Sequence, residues 1–163
     1  MKRPIQTMLA YNSWANAMVL NAAARLTEHE YNEPLPGLVQ GSIRGALVHV
    51  YAAEHVWRVR WAEGISPTAL PWEDDLPTLE DLRNVWAIEQ EKWDVLTASL
   101  TNDELQNDIH YKTTGGTEWA TPLWQILLHV VNHGTQFRSE ATVALKSAGF
   151  YPGDINTMAF LRR

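Results

Sequence analysis

Six histidines and no cysteine set the chemistry open to this 163-residue chain. Without thiols there is no disulfide, no thiolate ligand and no cysteine nucleophile, so a bound metal must rely on His, Asp, Glu or amide side chains. His129 and His133 form an H-x-x-x-H pair. On one helix that spacing puts the two residues about 40° apart around the axis and one turn apart along it, so both imidazoles can face a single ion. The residues between them are Val130, Val131 and Asn132, so the glutamate base of the H-E-x-x-H metalloprotease motif is missing and zincin-type proteolysis is disfavoured. Six histidines placed at random would give such a pair with a probability on the order of 0.2, so the pair alone does not define a site.

A third ligand has to come from another helix. His49 is the best candidate, because it lies on an apolar helical face between Ala46 and Ala53, small residues that let a neighbouring helix approach. His55, six residues further on, is turned about 120° away and reads as a surface or interface residue. His29 and His110 fall in expected loops or strand ends. A lone inward histidine is ordinarily a core residue satisfied by a backbone carbonyl. Three inward imidazoles are different: burying them is costly unless their nitrogens find partners, and one cation satisfies a lone pair on each. On the residues alone, a shared metal site and separate core roles stand level.

Four helical segments must position these residues. The first is expected from about Pro4 to Leu26, with proline in its first turn and Met8, Tyr11, Ala15, Met18, Ala22 and Leu26 recurring every three or four residues. After the breakers Pro34, Pro36 and Gly37, Ser42 is a good cap for a second helix, which places Leu47, Val50, Ala53, Val56 and Trp57 on one face and ends near Gly64. Thr78 with Asp81 resembles a capping box opening a third helix to about Leu100, with Leu79, Leu82, Val85, Trp86, Trp93 and Leu96 inward. Between Gln106 and Ala120 the pattern alternates around Gly115 and Gly116, which predicts a small hairpin or irregular loop. Thr121 and Pro122 then supply an N-cap and a first-turn proline for a long helix to about Ser147, carrying Ile126, Val130, Phe137, Ala141 and Leu145. The expected fold class is all-α: one domain over residues 1–163, a four-helix bundle with a short hairpin or irregular loop before its last long helix.

Composition removes several function classes. A chain that is 45% hydrophobic and 20% charged is that of an ordinary globular protein, and no stretch approaches the ~20 apolar residues of a membrane span. The segment after Lys2 and Arg3 runs into Tyr11, Asn12, Trp14 and Asn16 with no apolar signal core, so a cytoplasmic location is expected. The net charge of −6, with scattered Lys and Arg, argues against nucleic-acid binding. Eight tryptophans against three phenylalanines suit core packing first and pocket walls second.

The sequence also resembles a family. Tyr11-Asn12-Ser13-Trp14-Ala15-Asn16, the run from Leu47 through His49 and His55 to Trp57, the stretch His129-Val130-Val131-Asn132-His133-Gly134-Thr135-Gln136-Phe137-Arg138, and Gly149 with Tyr151-Pro152-Gly153-Asp154 and Phe160-Leu161 look like the DinB family of damage-inducible proteins. The resemblance spans nearly the whole chain. It implies a four-helix bundle, a divalent ion on His49, His129 and His133, and frequently a homodimer. Nickel or zinc leads as the ion, with iron or manganese as further choices, in keeping with imidazole's preferences.

Three neutral ligands leave an ion its positive charge and an open position, as in catalytic sites. Such an ion acts as a Lewis acid, lowers the pKa of bound water or activates an incoming thiolate. By analogy with the wider superfamily, the leading expectation is a metal-dependent transferase that uses a low-molecular-weight thiol on a small-molecule substrate. Its pocket would be lined by some of Trp14, Trp57 and Trp124. The alternatives are a metal-dependent hydrolase and a non-catalytic stress-response bundle in which the ion stabilises the fold. No catalytic residue is named. Gln136, one turn past His133, could orient a ligand or simply pack. Arg138, turned about 140° from His133, reads as an ion-pair or dimer residue. Asn12 and Asn16 reach either the pocket mouth or water, and Glu54 sits on the wrong side of its helix to act as a base.

Overall fold

Side-chain caps mark four of the six α-helix starts in the computed structural model, which describes residues 1–163 and is mostly helical with one small sheet. Helix α1 (Lys2–Ala23) holds Pro4 in its first turn, where the missing N–H costs no intrahelical bond. The short helix α2 (Glu28–Asn32) opens with a capping box in which Thr27 and Glu30 satisfy each other's backbone. That T-x-x-E signal was legible but too brief to stand out from the surrounding breakers. In α3 (Ile43–Ala62) the Ser42 hydroxyl accepts the Gly45 N–H at 2.8 Å. In α4 (Leu79–Ser99) the expected Thr78/Asp81 box is present, with both residues engaged in both directions.

The hairpin is real: β1 (Asp108–Lys112) pairs antiparallel with β2 (Glu118–Pro122), Tyr111 opposite Trp119. This corrects the expected start of the last long helix. Thr121 and Pro122 pair with Ile109 and Asp108 in the sheet, and Pro122 is extended at the boundary, so α5 (Leu123–Ser147) begins without a side-chain cap. A last short helix, α6 (Thr157–Leu161), is capped by Asn156.

Helix α5 packs against α1 and α3, and α4 packs against the same two. Two apolar clusters fill the space between them. One contains Val19, Leu47, Val50, Leu82, Trp86, Phe137 and Leu145; the other contains Ile5, Leu9, Trp93, Leu123, Leu127 and Val130. The starts of α1 and α5 and the ends of α3 and α4 meet in the second cluster, so α1 and α5 run one way and α3 and α4 the other. The hairpin packs on the end of α3 and the start of α5. No helix is long and apolar enough to cross a membrane.

Where one cluster gives way to the other, the interior is polar. Asn12 and Asn16 from α1, Glu54 from α3, the Trp86 indole N–H from α4 and Arg138 from α5 form one hydrogen-bonded layer. The structure decides for the interior at the two asparagines, which the sequence leaves open, and turns Glu54 and the expected ion-pair or dimer residue Arg138 toward the same layer. All four are buried, Glu54 at 3% exposure and Arg138 at 0%.

Candidate functional site

The three histidines lie along the seam between α3 and α5. His49 and His133 bring their Nε2 atoms to 3.1 Å. Their ring centroids are 4.8 Å apart, and Phe137 packs against both, at 4.3 and 4.7 Å. His129 follows one turn back on α5, its centroid 5.7 Å from that of His133, and its outer edge meets Trp57 edge to face at 5.4 Å. The structure thus joins two of the three predicted residues in direct contact and places the third next to one of them. No set of three His, Cys, Asp or Glu side chains is drawn close enough to surround an ion as the rings stand.

The site is not sealed in an oily interior as the sequence suggested. His49 and His133 are half-buried and His129 is exposed, because the seam reaches the surface where Asn132 and Gln136 are also exposed. Gln136 therefore faces solvent.

Burial still governs the protonation of the rings. It lowers the pKa of His49, against a weaker upward pull from Glu140, and the partial desolvation of the otherwise exposed His129 lowers its pKa as well. His133 falls to about 4, first through burial and then through the fields of His49, His129 and Arg138. At neutral pH all three rings are uncharged, the form in which an imidazole nitrogen offers a lone pair. The Nε2 separation can be tested against metal geometry. Two nitrogens about 2.05 Å from one zinc lie about 3.3 Å apart in a tetrahedron and about 2.9 Å apart at adjacent octahedral corners. The 3.1 Å observed lies between them. One atom remains without a partner: His133 Nδ1 is buried and unbonded.

Of the three tryptophans expected in a pocket wall, Trp57 alone touches a site histidine. Trp14 packs on Tyr11 and Phe160, and Trp124 leans on the second apolar cluster. His55 is not a free surface residue either. Its Nδ1 lies 3.0 Å from Glu89 Oε2, and Glu89 also binds Arg58, which reaches Glu63 at 2.5 Å. Arg60 was missed altogether. It stacks over Trp57 and Tyr111, 4.7 and 5.0 Å from their centroids. The signal for it was present: 11 residues separate it from His49, a rotation of only about 20° around the helix.

The polar layer braces the site from behind. Asn12 and Asn16 each use the amide nitrogen on Glu54 Oε1, at 2.6 and 2.8 Å, and the amide oxygen on Arg138 Nη1, at 2.6 and 2.7 Å. Gly134, next to His133, is required for this approach. A Cβ there would sit 2.5 Å from Arg138 Nη1 and 2.8 Å from Asn12 Oδ1.

Comparison with known proteins agrees with the resemblance seen in the sequence. The model of the DinB family matches residues 1–163. Protein DinB of Bacillus subtilis (strain 168) is 27% identical over 165 aligned residues, covering 94% of this chain and 92% of that protein.

Proposed function

We propose, from the premise that the chain belongs to the DinB family, that His49, His129 and His133 hold one divalent metal ion in the α3–α5 seam of a four-helix bundle, and that the site serves a transferase using a low-molecular-weight thiol. The observation that carries the metal reading is the 3.1 Å approach of two uncharged imidazoles from separate helices. Nothing holds the His129 ring in its outward pose by a hydrogen bond, and its place one turn from His133 leaves it a side-chain rotation from the same point. Nickel and zinc suit an all-imidazole set best.

When bound, the ion would supply a positive centre that favours a thiol in its thiolate form. The remaining work falls to the chain itself. Phe137 closes the inner side of the seam against both inner histidines, which keeps water from that face. Trp57 stands over His129 and offers an apolar wall to an electrophile. The open outer side, at His129, gives a substrate its approach. A hydrolytic reading is less well supported, since it needs a free carboxylate base near the seam, and Glu140, whose charge acts on His49, is engaged by the Val39 N–H at 3.0 Å. Glu54 accepts two amide N–H groups and one indole N–H and is sealed from solvent.

The test is elemental analysis of untagged protein, repeated on His49→Ala, His129→Ala and His133→Ala. Near-stoichiometric nickel or zinc that is lost in each variant supports the site. Metal that survives all three substitutions refutes it. Turnover of electrophilic acceptors with glutathione, bacillithiol or mycothiol then tests the transferase reading, and a metal-loaded protein inert with all of them counts against it.

A further inference from the structure

Arg60 is a cation in an unusual position. It is 7% exposed, yet no carboxylate lies within ion-pair distance, whereas the neighbouring Arg58 has both Glu63 and Glu89. Its one hydrogen bond runs from Nη2 to the Lys112 carbonyl, 3.0 Å away in the hairpin, and its Nε is buried with no partner. A buried charge without a counter-charge is costly, and the aromatic faces of Trp57 and Tyr111 offset only part of that cost.

The location gives this cost a use. Arg60 lies three turns along α3 from His49 and about 20° away in azimuth, so both belong to one stripe. Helical side chains lean toward the N-terminus, which brings the guanidinium back toward the histidines and over Trp57. Trp57 in turn meets His129. A chain of side-chain contacts therefore runs from the histidine pair, through His129 and Trp57, to a guanidinium that lacks an anion. The Cα atoms of His49 and Arg60 are about 16 Å apart along the helix axis, and the reach of the two side chains shortens the span a ligand has to cross.

We propose that Arg60 is the anion-recognising residue of the histidine site: it binds a carboxylate carried by the substrate, at the far end from the group that meets the histidines. The proposal deepens the metal reading by naming a substrate class, anionic thiols or anionic electrophiles, and it rests on that reading for the position of the reacting end. A planar guanidinium suits a carboxylate because it can donate two parallel N–H bonds.

The test uses a series of straight-chain ω-mercaptocarboxylic acids and their carboxamides, titrated into the zinc-loaded protein by calorimetry. At one chain length the acid should bind more tightly than its amide by about ten- to a hundredfold, the range of a hydrogen bond to a charged group. Arg60→Gln should abolish that preference while leaving zinc content unchanged, and Arg60→Lys should restore part of it. A preference that survives Arg60→Gln, or no preference at any length, overturns the proposal. Because Arg60 also ties the hairpin to α3, the melting temperature of each variant is measured alongside. If Arg60→Gln does not fold, the contact is read in the wild type from the Arg60 Nε–Hε resonance on titration with glutarate and glutaramide. A shift with glutarate alone supports the assignment, and equal or absent shifts refute it. The same spectrum on metal-free protein separates the two readings, since a glutarate-selective shift in a chain that takes up no zinc refutes the metal site and leaves Arg60 standing.

Discussion

Replacing Glu54 by glutamine removes one charge and almost no volume, and the structure predicts a large loss of stability. The polarity of the layer is fixed from one end to the other. Arg138 can only donate, so Asn12 and Asn16 must turn their oxygens toward it. Their nitrogens therefore face Glu54, which receives two amide N–H groups on Oε1 and the Trp86 N–H, at 2.7 Å, on Oε2. All three contacts require an acceptor. A glutamine presents one oxygen and one NH2, so at least one donor meets a donor. Flipping an asparagine to relieve that clash points its NH2 at the guanidinium instead. The substitution also leaves Arg138, at 0% exposure, without a counter-charge.

Breaking a buried charged pair from one side costs about 3–5 kcal/mol. For a chain of this length that corresponds to a fall of about 10 °C in Tm. The assay is thermal and urea denaturation of the wild type, Glu54→Gln, Arg138→Met and the double variant at neutral pH. Each single change should cost several kcal/mol and the double change less than their sum, because the second loss no longer strands a charge. A Glu54→Gln protein that melts within about 2 °C of the wild type would refute the reasoning, since it would mean that the carboxyl already carries a proton as the amide would.

Three further outcomes follow from other parts of the molecule. Gly134→Ala should destabilise by about 1–3 kcal/mol by urea denaturation, the cost of overpacking, because the new methyl group would sit 2.5 Å from a guanidinium that has no room to move; an unchanged midpoint would show that the layer yields. Glu89 should govern part of the acid sensitivity. Burial acts to raise its pKa from the ordinary 4.5, but the hydrogen bonds from His55 and Arg58 outweigh that and hold it lower. Its stabilising contribution is therefore present above the unfolded value and lost as pH falls through the folded one. Glu89→Gln should melt lower than the wild type at neutral pH and converge with it in acid, as seen in Tm against pH; parallel curves would exclude this role. Burial pushes the Glu54 carboxyl the other way, up from its usual range, against the hydrogen bonds of Asn16, Asn12 and Trp86 and the field of Arg138, so Glu54→Gln should cost less in acid, where the wild-type carboxyl also carries a proton. Finally, chelation should lower the Tm of metal-loaded wild type by an amount that grows with the free metal concentration before chelation, about 2.7 kcal/mol at a hundred times Kd, and leave His133→Ala unmoved; equal shifts in both would place the ion elsewhere.

What the sequence disclosed depended on whether apolar residues carried the message. The long helices were readable from Leu47, Val50, Val56, Leu82, Trp86, Phe137 and Leu145, because apolar side chains at helical spacing have one reason to be there. Ser42 and Thr78 marked two starts through cap chemistry. Thr121 and Pro122 misled, because a capping residue before a proline and the last pair of a strand look alike until a partner strand is known. The polar layer was unreadable for a related reason. Asn12, Asn16, Glu54 and Arg138 belong to residue types that normally face water, and only the contacts between distant helices show that each satisfies another. Arg60 was hidden by the same expectation. The histidines could be named from spacing and resemblance, but the exposure of His129 depends on how α3 and α5 pack, and no local pattern encodes that.

The polar layer and the histidine seam are parts of one arrangement, because α5 supplies both. His129, His133, Gly134 and Arg138 lie within three turns, so whatever fixes Arg138 fixes the imidazoles. Apolar packing alone would do this loosely, since leucine and valine tolerate small slides along a neighbouring helix. A slip of one residue moves α5 by about 1.5 Å and turns it by about 100°, enough to destroy a 3.1 Å approach between His133 and His49. The layer forbids that slip: in any other register the buried Arg138 loses two asparagine oxygens and is carried away from the charge of Glu54, with no water in reach to replace them. Buried charge contributes little net stability in such places, and its use is to make the alternatives worse. Here the register it selects is the one that sets two uncharged imidazoles nitrogen to nitrogen along the α3–α5 seam.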